Sequence, residues 1–473
     1  MLRDRRMTDS IKTTAAQIAQ QQAAQRSTER EGYQQSQQAD VKRYGIGFGE
    51  SWTPPPVQSV EDTGLNIFYV SEHILKVLYF SGFKSGYGIA EALRLPFTGV
   101  IDQVMEFLKR ERLVEVRGSG GFGEGAYQYT ITGAGIEKAR EALERSQYAG
   151  PAPVPLQFYT MAINEQHRRI LVSREKMDHA LSHLVVNNDV LDKVGPAANS
   201  GKSIFLFGPP GNGKTTISEA VGRVVLGATI YIPYAIDIDG QIVRVYDSVN
   251  HELIEEDEYK GTGSAGTRPD PRWVKIKRPV VMVGGELTLE TLDLVYDPIN
   301  KYYEAPFQMR ANGGMFLIDD FGRQQVRPRD LLNRWIVPLE KRIDFLTLAN
   351  GRKIEIPFDV MVVFSTNLDP ADLVDEAFLR RIRHKIEIID PTFEEYREIF
   401  RRVAKSRGLP YDDQMLAYLL QEWYIKHDRP LRGNHPRDLV DQMKDIASYH
   451  EIPFEMTEDL IDRAADSYFV ELY

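Results

Sequence analysis

The chain contains no cysteine. That excludes disulfide frameworks and thiolate metal sites and is compatible with a reducing compartment. It has no apolar run long enough to span a bilayer, and no apolar signal segment follows its charged start, Met1-Leu2-Arg3-Asp4-Arg5-Arg6. It also lacks a basic excess. Its 58 lysines and arginines face 68 aspartates and glutamates, for a formal net charge of −10, so any nucleic-acid face would have to be local. These absences point to a cytoplasmic protein with no membrane partner. What is present is ordinary for a globular chain: 42% hydrophobic and 27% charged residues over 473 positions. This is enough material for roughly two to four domains with a large core.

One stretch dominates the rest. Gly208-Pro209-Pro210-Gly211-Asn212-Gly213-Lys214-Thr215-Thr216 fits G-x-x-x-x-G-K-[ST] at every fixed position. Ser203–Phe207 before it reads as a short buried strand, and Ile217–Val225 after it as a helix. Phosphate binding needs this layout. Glycines let successive N–H groups turn inward around phosphate oxygens, and the helix start adds a positive dipole end. Lys214 is placed to reach the β- and γ-phosphates and Thr215 to ligate magnesium. The loop predicts a site for a nucleoside triphosphate, ATP, with Mg2+.

The chain divides by composition. Residues 1–58 are polar and glutamine-rich and end in Pro54-Pro55-Pro56; such a segment buries too little apolar surface to order itself. Residues 59–148 read as helices over Ser71–Phe80, Tyr87–Leu93 and Phe97–Lys109. Strands Leu113–Val116 and Ala126–Ile131 follow, flanking a glycine-rich tip, and then a helix over Gly133–Ser146. Three helices followed by a β-hairpin is the order of a winged helix, and Tyr129–Thr132 with Gly133 resembles the return strand of the wing in bacterial winged-helix regulators. The third helix would be the one to enter a major groove. It carries Asp102 and Glu106 early and Lys109, Arg110 and Arg112 late beside Glu111. That near-neutral face favours protein docking over duplex reading. Residues 149–158, rich in proline and alanine, read as a semi-rigid linker. Residues 159–390 form the nucleotide domain and 391–473 a helical region.

A magnesium–nucleotide site also needs a carboxylate at the end of a second buried strand. Met315–Ile318 followed by Asp319-Asp320 supplies it: Asp319 for the magnesium shell, Asp320 to orient and deprotonate the attacking water. Asp320-Phe321-Gly322 spells the kinase triplet, but the other kinase motifs are missing. A third strand, Met361–Ser365, leads to Thr366-Asn367. Arg380-Arg381 lie at a helix end before Ile382, the strand Lys385–Ile389 follows, and Gly433-Asn434-His435-Pro436-Arg437 opens a later helix.

Together these motifs resemble the AAA+ ATPases over residues 160–473. The resemblance implies an α/β P-loop core with a parallel sheet of order 5-1-4-3-2 and a C-terminal helical lid. Gly208–Thr216 fall on Walker A and Asp319-Asp320 on Walker B. Asn367 falls on sensor 1, Arg437 on sensor 2, and Arg381 on the arginine finger, with Arg380 the neighbouring alternative. Ala311-Asn312-Gly313-Gly314 and the Asn350-Gly351 hairpin over 345–356 are similar to features of the MoxR, magnesium-chelatase and enhancer-binding-activator groups. Residues 247–307 look like an insertion between the second strand and Walker B. The family's Walker B usually ends Asp-Glu; here it ends Asp319-Asp320, a carboxylate one methylene shorter, which puts turnover rate in question.

The resemblance implies a ring, most simply a hexamer, in which Arg381 acts on a neighbour's nucleotide. Three readings follow. The first is a remodelling ATPase acting on a protein client. The second is an ATP-controlled DNA-binding regulator or DNA motor, less favoured by the charge of the third helix. The third is a slow switch or scaffold, prompted by Asp320.

Overall fold

The computed structural model describes residues 52–167, 172–225, 229–254, 268–373 and 379–469. The glutamine-rich tract up to residue 51, the acidic and glycine-rich run within 255–267, and residues 374–378 before the arginine pair lie outside them. The residues from Pro56 onward form one packed unit.

Asn66 opens the first helix, Ile67–Ser81, by accepting the Phe68 N–H at 2.9 Å, and Gly82 with φ 74° ends it. Ser85 caps Gly86–Leu93, and Thr132 caps Gly133–Arg145. Three antiparallel strands complete this module, with Tyr127–Ile131 between Phe83–Ser85 and Val114–Ser119. The third helix is not continuous from Phe97. Thr98 is extended and Gly99 has φ 85°, so the regular helix is Asp102–Arg110. Only glycine fits at the break, since a Cβ on Gly99 would lie 2.2 Å from the Gln58 carbonyl oxygen. The ordered core reaches back to Val57, which is buried with Val60 and Leu65 although it falls within the stretch read as a disordered tail.

The proline- and alanine-rich segment 149–158, read from its composition as a semi-rigid linker, is a packed strap. Tyr148, Ala152 and Val154 are buried. Ala152 donates to the Leu93 carbonyl at 2.8 Å, and Val154–Pro155 pair in parallel with Ile236–Asp237. Arg272 explains why the strap stays down. Fully buried and ion-paired to Asp270, it donates to the Thr63 and Pro153 carbonyls at 2.9 and 3.1 Å. Buried carbonyls that a loop would otherwise leave unpaired are thereby satisfied.

Behind the strap lies a five-stranded parallel sheet in the spatial order Val280–Val283, Met315–Ile318, Met361–Thr366, Ile204–Phe207, His384–Glu387. Alternate residues feed its two faces, as a doubly covered parallel sheet requires. Ile204, Leu206, Leu317 and Val363 pack with Val194, Ile217 and Val221. Phe205, Phe316, Ile318 and Phe364 pack with Leu331, Leu332 and Trp335. The edge strand Val280–Val283 lies inside the segment read as an insertion, so residues 247–307 are not a single insert: part of them is core. Thr229–Pro233 pairs with Trp273–Lys277 outside this sheet.

A second, mixed sheet joins Val295–Asp297, Tyr302–Glu304, Gln241–Arg244, Ala235–Ile238 and Val154–Pro155. The hairpin Ile343–Thr347/Lys353–Pro357 turns at Gly351, φ 79°, and buries Leu346, Ile354 and Ile356 against it. The last region has its own core of helices Phe393–Arg407, Asp413–Leu419, His435–His450 and Glu458–Tyr468. Thr392 and Glu395 form a capping box at its entry.

Candidate functional site

The carboxyl ends of the central strands open into a cleft of about 540 Å³, bounded on its far side by the last helical region. Pro210 to Thr216, Asp319, Asp320, Asn367 and Arg437 all line it. The loop from Gly208 owes its path to three glycines in the left-handed or wider positive-φ region: Gly208 at 132°, Gly211 at 84° and Gly213 at 78°. At Gly208 the need is also steric, since a Cβ there would meet the Ile388 carbonyl oxygen at 2.2 Å.

Lys214 begins the helix Lys214–Val225. Its Nζ donates to the carbonyls of Gly208 and Pro209 at 3.0 and 2.8 Å and to Asn367 Oδ1 at 2.5 Å. Burial holds its proton affinity below the ordinary lysine range; Asp319 and Asp320 oppose that shift and Arg432 adds to it. The Thr215 hydroxyl donates to Asp319 Oδ2 at 2.7 Å. Asn367, at the end of Met361–Thr366, turns its other side outward and donates Nδ2 to Asp320 Oδ1 at 3.2 Å. Lysine, amide and Asp320 thus form one bonded group and the Thr215 hydroxyl and Asp319 a second, joined where the Asp320 N–H donates to Asp319 Oδ1 at 3.0 Å.

Asp320 is exposed and adopts φ 47°, a conformation that aspartate tolerates better than most side chains. The turn around it is pinned. Gln324 Nε2 donates to the carbonyls of Asp319 and Asp320 at 2.9 and 3.1 Å, and the Phe321 N–H donates to the Ser365 carbonyl at 2.7 Å.

Arg437 is exposed in the cleft, and its Nε donates to Asp438 Oδ1 at 2.9 Å. Arg381 does not line the cleft. Its Nε donates to Glu340 Oε1 at 2.5 Å, on the helix Pro328–Lys341. Arg380, beside it, is exposed and also lies outside the cleft.

The structure adds cleft residues that sequence reasoning did not single out. Asp390 accepts a 2.7 Å hydrogen bond from Asn212 Nδ2 and pairs with Arg432, and Gly433 donates its N–H to Asn212 Oδ1 at 3.0 Å. The only sequence signal for them is an acid after the last strand and a Gly-Asn helix opening. His435, at that helix start, is held neutral: burial and Arg432 lower its pKa to about 4, and the Tyr424 hydroxyl lies 2.9 Å from Nδ1.

An all-oxygen donor pair, hydroxyl and carboxylate, suits a hard cation that keeps water and takes its remaining ligands from phosphates. Thr215 and Asp319, already 2.7 Å apart, fit that description. Among the described residues no group of three or more His, Asp or Glu side chains is arranged to hold a metal by itself. No helix among them is long and apolar enough to cross a membrane.

Residues 392–467 match a family described as Domain of unknown function (DUF8689). No curated protein matches the chain. Similar solved structures include NtrX from Brucella abortus in complex with ATP, 14% identical with a TM-score of 0.37 over 60% of this chain and 56% of that one. Another is the RuvB Holliday junction branch migration motor of Thermotoga maritima, 12% identical with a TM-score of 0.34 over 60% of this chain and 70% of that one. The chain spans a little over half of that NtrX chain. Likeness at this level carries no argument about function, which rests on the geometry of the cleft.

Proposed function

We propose that this chain binds ATP with Mg2+ and hydrolyses it as an AAA+ ATPase. The observation that carries the proposal is the pair of bonded groups Lys214–Asn367–Asp320 and Thr215–Asp319, joined through the Asp320 N–H, beside a glycine-formed loop. The N–H groups of Gly211 to Thr215 and the helix start would cradle the phosphates. Lys214 Nζ, now shared among two carbonyls and an amide, would exchange them for β- and γ-phosphate oxygens. Magnesium, held by Thr215 and Asp319, would neutralise charge developing between the β- and γ-phosphates. Asp320 would take the proton of the attacking water, and Asn367, bonded to it, would hold that water's orientation.

The order of the parallel sheet, with strand 384–387 at one edge and 280–283 at the other, supports the 5-1-4-3-2 arrangement of that family. The placement of Arg381 outside its own cleft supports a role on a neighbour's nucleotide, and hence a ring, most simply a hexamer. The N-terminal module, with three helices ahead of its hairpin and a fourth after it, supports a winged helix, and its near-neutral third helix supports docking of a protein client over DNA. Asp320 in a left-handed backbone, one methylene shorter than glutamate, favours a second reading in which turnover is slow and nucleotide acts as a switch.

The first test is ATP binding with and without Lys214→Ala. Loss of binding is the expected result, and tight binding by the variant overturns the site. The second is phosphate release per subunit against protein concentration, with mass measured on the same samples. A rate that climbs as a ring assembles supports the motor, and binding without turnover at every concentration selects the switch.

A further inference from the structure

The motif leaves the position of Asn212 free, yet both ends of its amide are used. Nδ2 donates to Asp390 Oδ1 at 2.7 Å and Oδ1 accepts the Gly433 N–H at 3.0 Å. Asp390 sits between the last core strand, His384–Glu387, and the first helix of the helical region, Phe393–Arg407. It is the residue about which that region would turn. Arg432, from the segment before the helix His435–His450, pairs with the same carboxylate oxygen; the two side chains are 21% and 34% exposed, so water screens the pair only partly. Phosphate loop, hinge and lid loop thus meet at one carboxylate.

The contact is close because two glycines allow it. A Cβ on Gly211 would lie 2.0 Å from Asn434 Oδ1, and one on Gly433 would lie 3.2 Å from the Gly211 carbonyl oxygen. From Asn434 the connection continues. Its Nδ2 donates to Asp438 Oδ2 at 2.8 Å, and Asp438 Oδ1 accepts Arg437 Nε at 2.9 Å. A short path therefore runs from the loop to the arginine that would touch phosphate from the lid: the Asn212 side chain bonds Gly433, whose neighbour Asn434 packs on Gly211 and bonds Asp438. Arg432 is also near enough to act electrostatically on Lys214.

We propose that Asp390 and Arg432 are positioning residues: with Asn212 they form a latch that makes the orientation of the lid, and so of Arg437, follow the state of the phosphate loop. This deepens the ATPase reading and rests on it. Without the latch, phosphate would still bind the loop, but the lid would no longer report it, and the loss would fall on turnover more than on affinity.

The absence of cysteine permits a clean experiment. Spin labels at Lys202→Cys and Lys444→Cys, both exposed, one on the core and one on the lid, report the distance between them. The distance is measured by pulsed electron resonance with and without a non-hydrolysable ATP analogue and magnesium, in the full chain. The unlabelled proteins supply kcat and KM. The expected result is a nucleotide-dependent shift in the parent that Arg432→Gln abolishes. That variant should lose on the order of tenfold in kcat, the scale of one charge-assisted hydrogen bond, with KM within about threefold. Arg432→Lys, which keeps the cation, should restore most of both, and it carries the test if the glutamine variant does not fold.

An Arg432→Gln protein that keeps the shift, or keeps kcat, overturns the latch. So does a parent that binds the analogue without moving its lid, although the ATPase reading then survives. A parent that binds no nucleotide overturns that reading and the latch with it.

Discussion

At the scale of single residues, the cleft concentrates its chemistry in side chains that already touch one another. Asn367 is the pivot, accepting from Lys214 and donating to Asp320. Replacing Asp320 with Asn removes the base but keeps the shape. Turnover is expected to fall about 10²- to 10⁴-fold while ATP affinity stays near its starting value, measured by phosphate release and equilibrium binding on the same preparation; equal losses in both would reassign Asp320 to binding. The positions of these residues at the cleft were legible in the sequence because each sits at a fixed offset from a strand or glycine loop. Asp390 and Arg432 were not. Asn212 and Asp390 are 178 positions apart, and Asn212 and Gly433 are 221 apart, distances over which no local pattern operates.

At the scale of elements, the phosphate loop is shaped as much by what lies beneath it as by what it would hold. Gly208→Ala would force a Cβ to within 2.2 Å of the Ile388 carbonyl at φ 132°. A stability loss of about 1–3 kcal/mol is expected in urea unfolding, accompanied by weaker nucleotide binding. The lid helix His435–His450 carries a second prediction. Its His435 is depressed to about 4 from 6.5, so between those values the unfolded chain binds a proton that the folded one refuses. Stability should therefore be intact above pH 6.5 and fall as the pH drops toward 4. The slope of thermal midpoint against pH in that window should flatten in His435→Asn. The central strands Met315–Ile318 and Met361–Thr366, buried at every position, could be read directly. Val280–Val283 could not: it is a four-residue edge strand whose Met282 is 49% exposed, and its only sheet partner comes later in the chain.

At the scale of the whole molecule, the α/β architecture followed from the order of motifs, whereas the second sheet did not. Its strands are two to four residues long, and two short hairpins are joined into one sheet by pairings across the chain, Val154–Pro155 with Ile236–Asp237 and Tyr303–Glu304 with Val243–Arg244. Pairing of this kind is set by tertiary packing and leaves little periodicity to read. A ring is the assembly-level expectation. Arg381→Ala should spare ATP binding and cut hydrolysis about 10³-fold or more, and mixing it with Lys214→Ala subunits should restore some activity if each subunit completes its neighbour's site; no recovery in mixtures would place the finger in cis or elsewhere. If hydrolysis instead survives in Arg381→Ala and falls with Arg380→Ala, the finger assignment moves by one residue.

The buried clasp of Arg272 has a mechanical consequence. Removing the guanidinium would strand Asp270, which is 4% exposed, and Arg272→Ala is expected to cost about 3–5 kcal/mol. In the intact chain the same joint is buried, charge-assisted and anchored to one carbonyl of the N-terminal module and one of the strap, so it leaves little play. The N-terminal module would then serve as a stiff handle on the flank of the core. Any rearrangement of the core would reach a partner held by the module directly, with none of it absorbed by a slack tether.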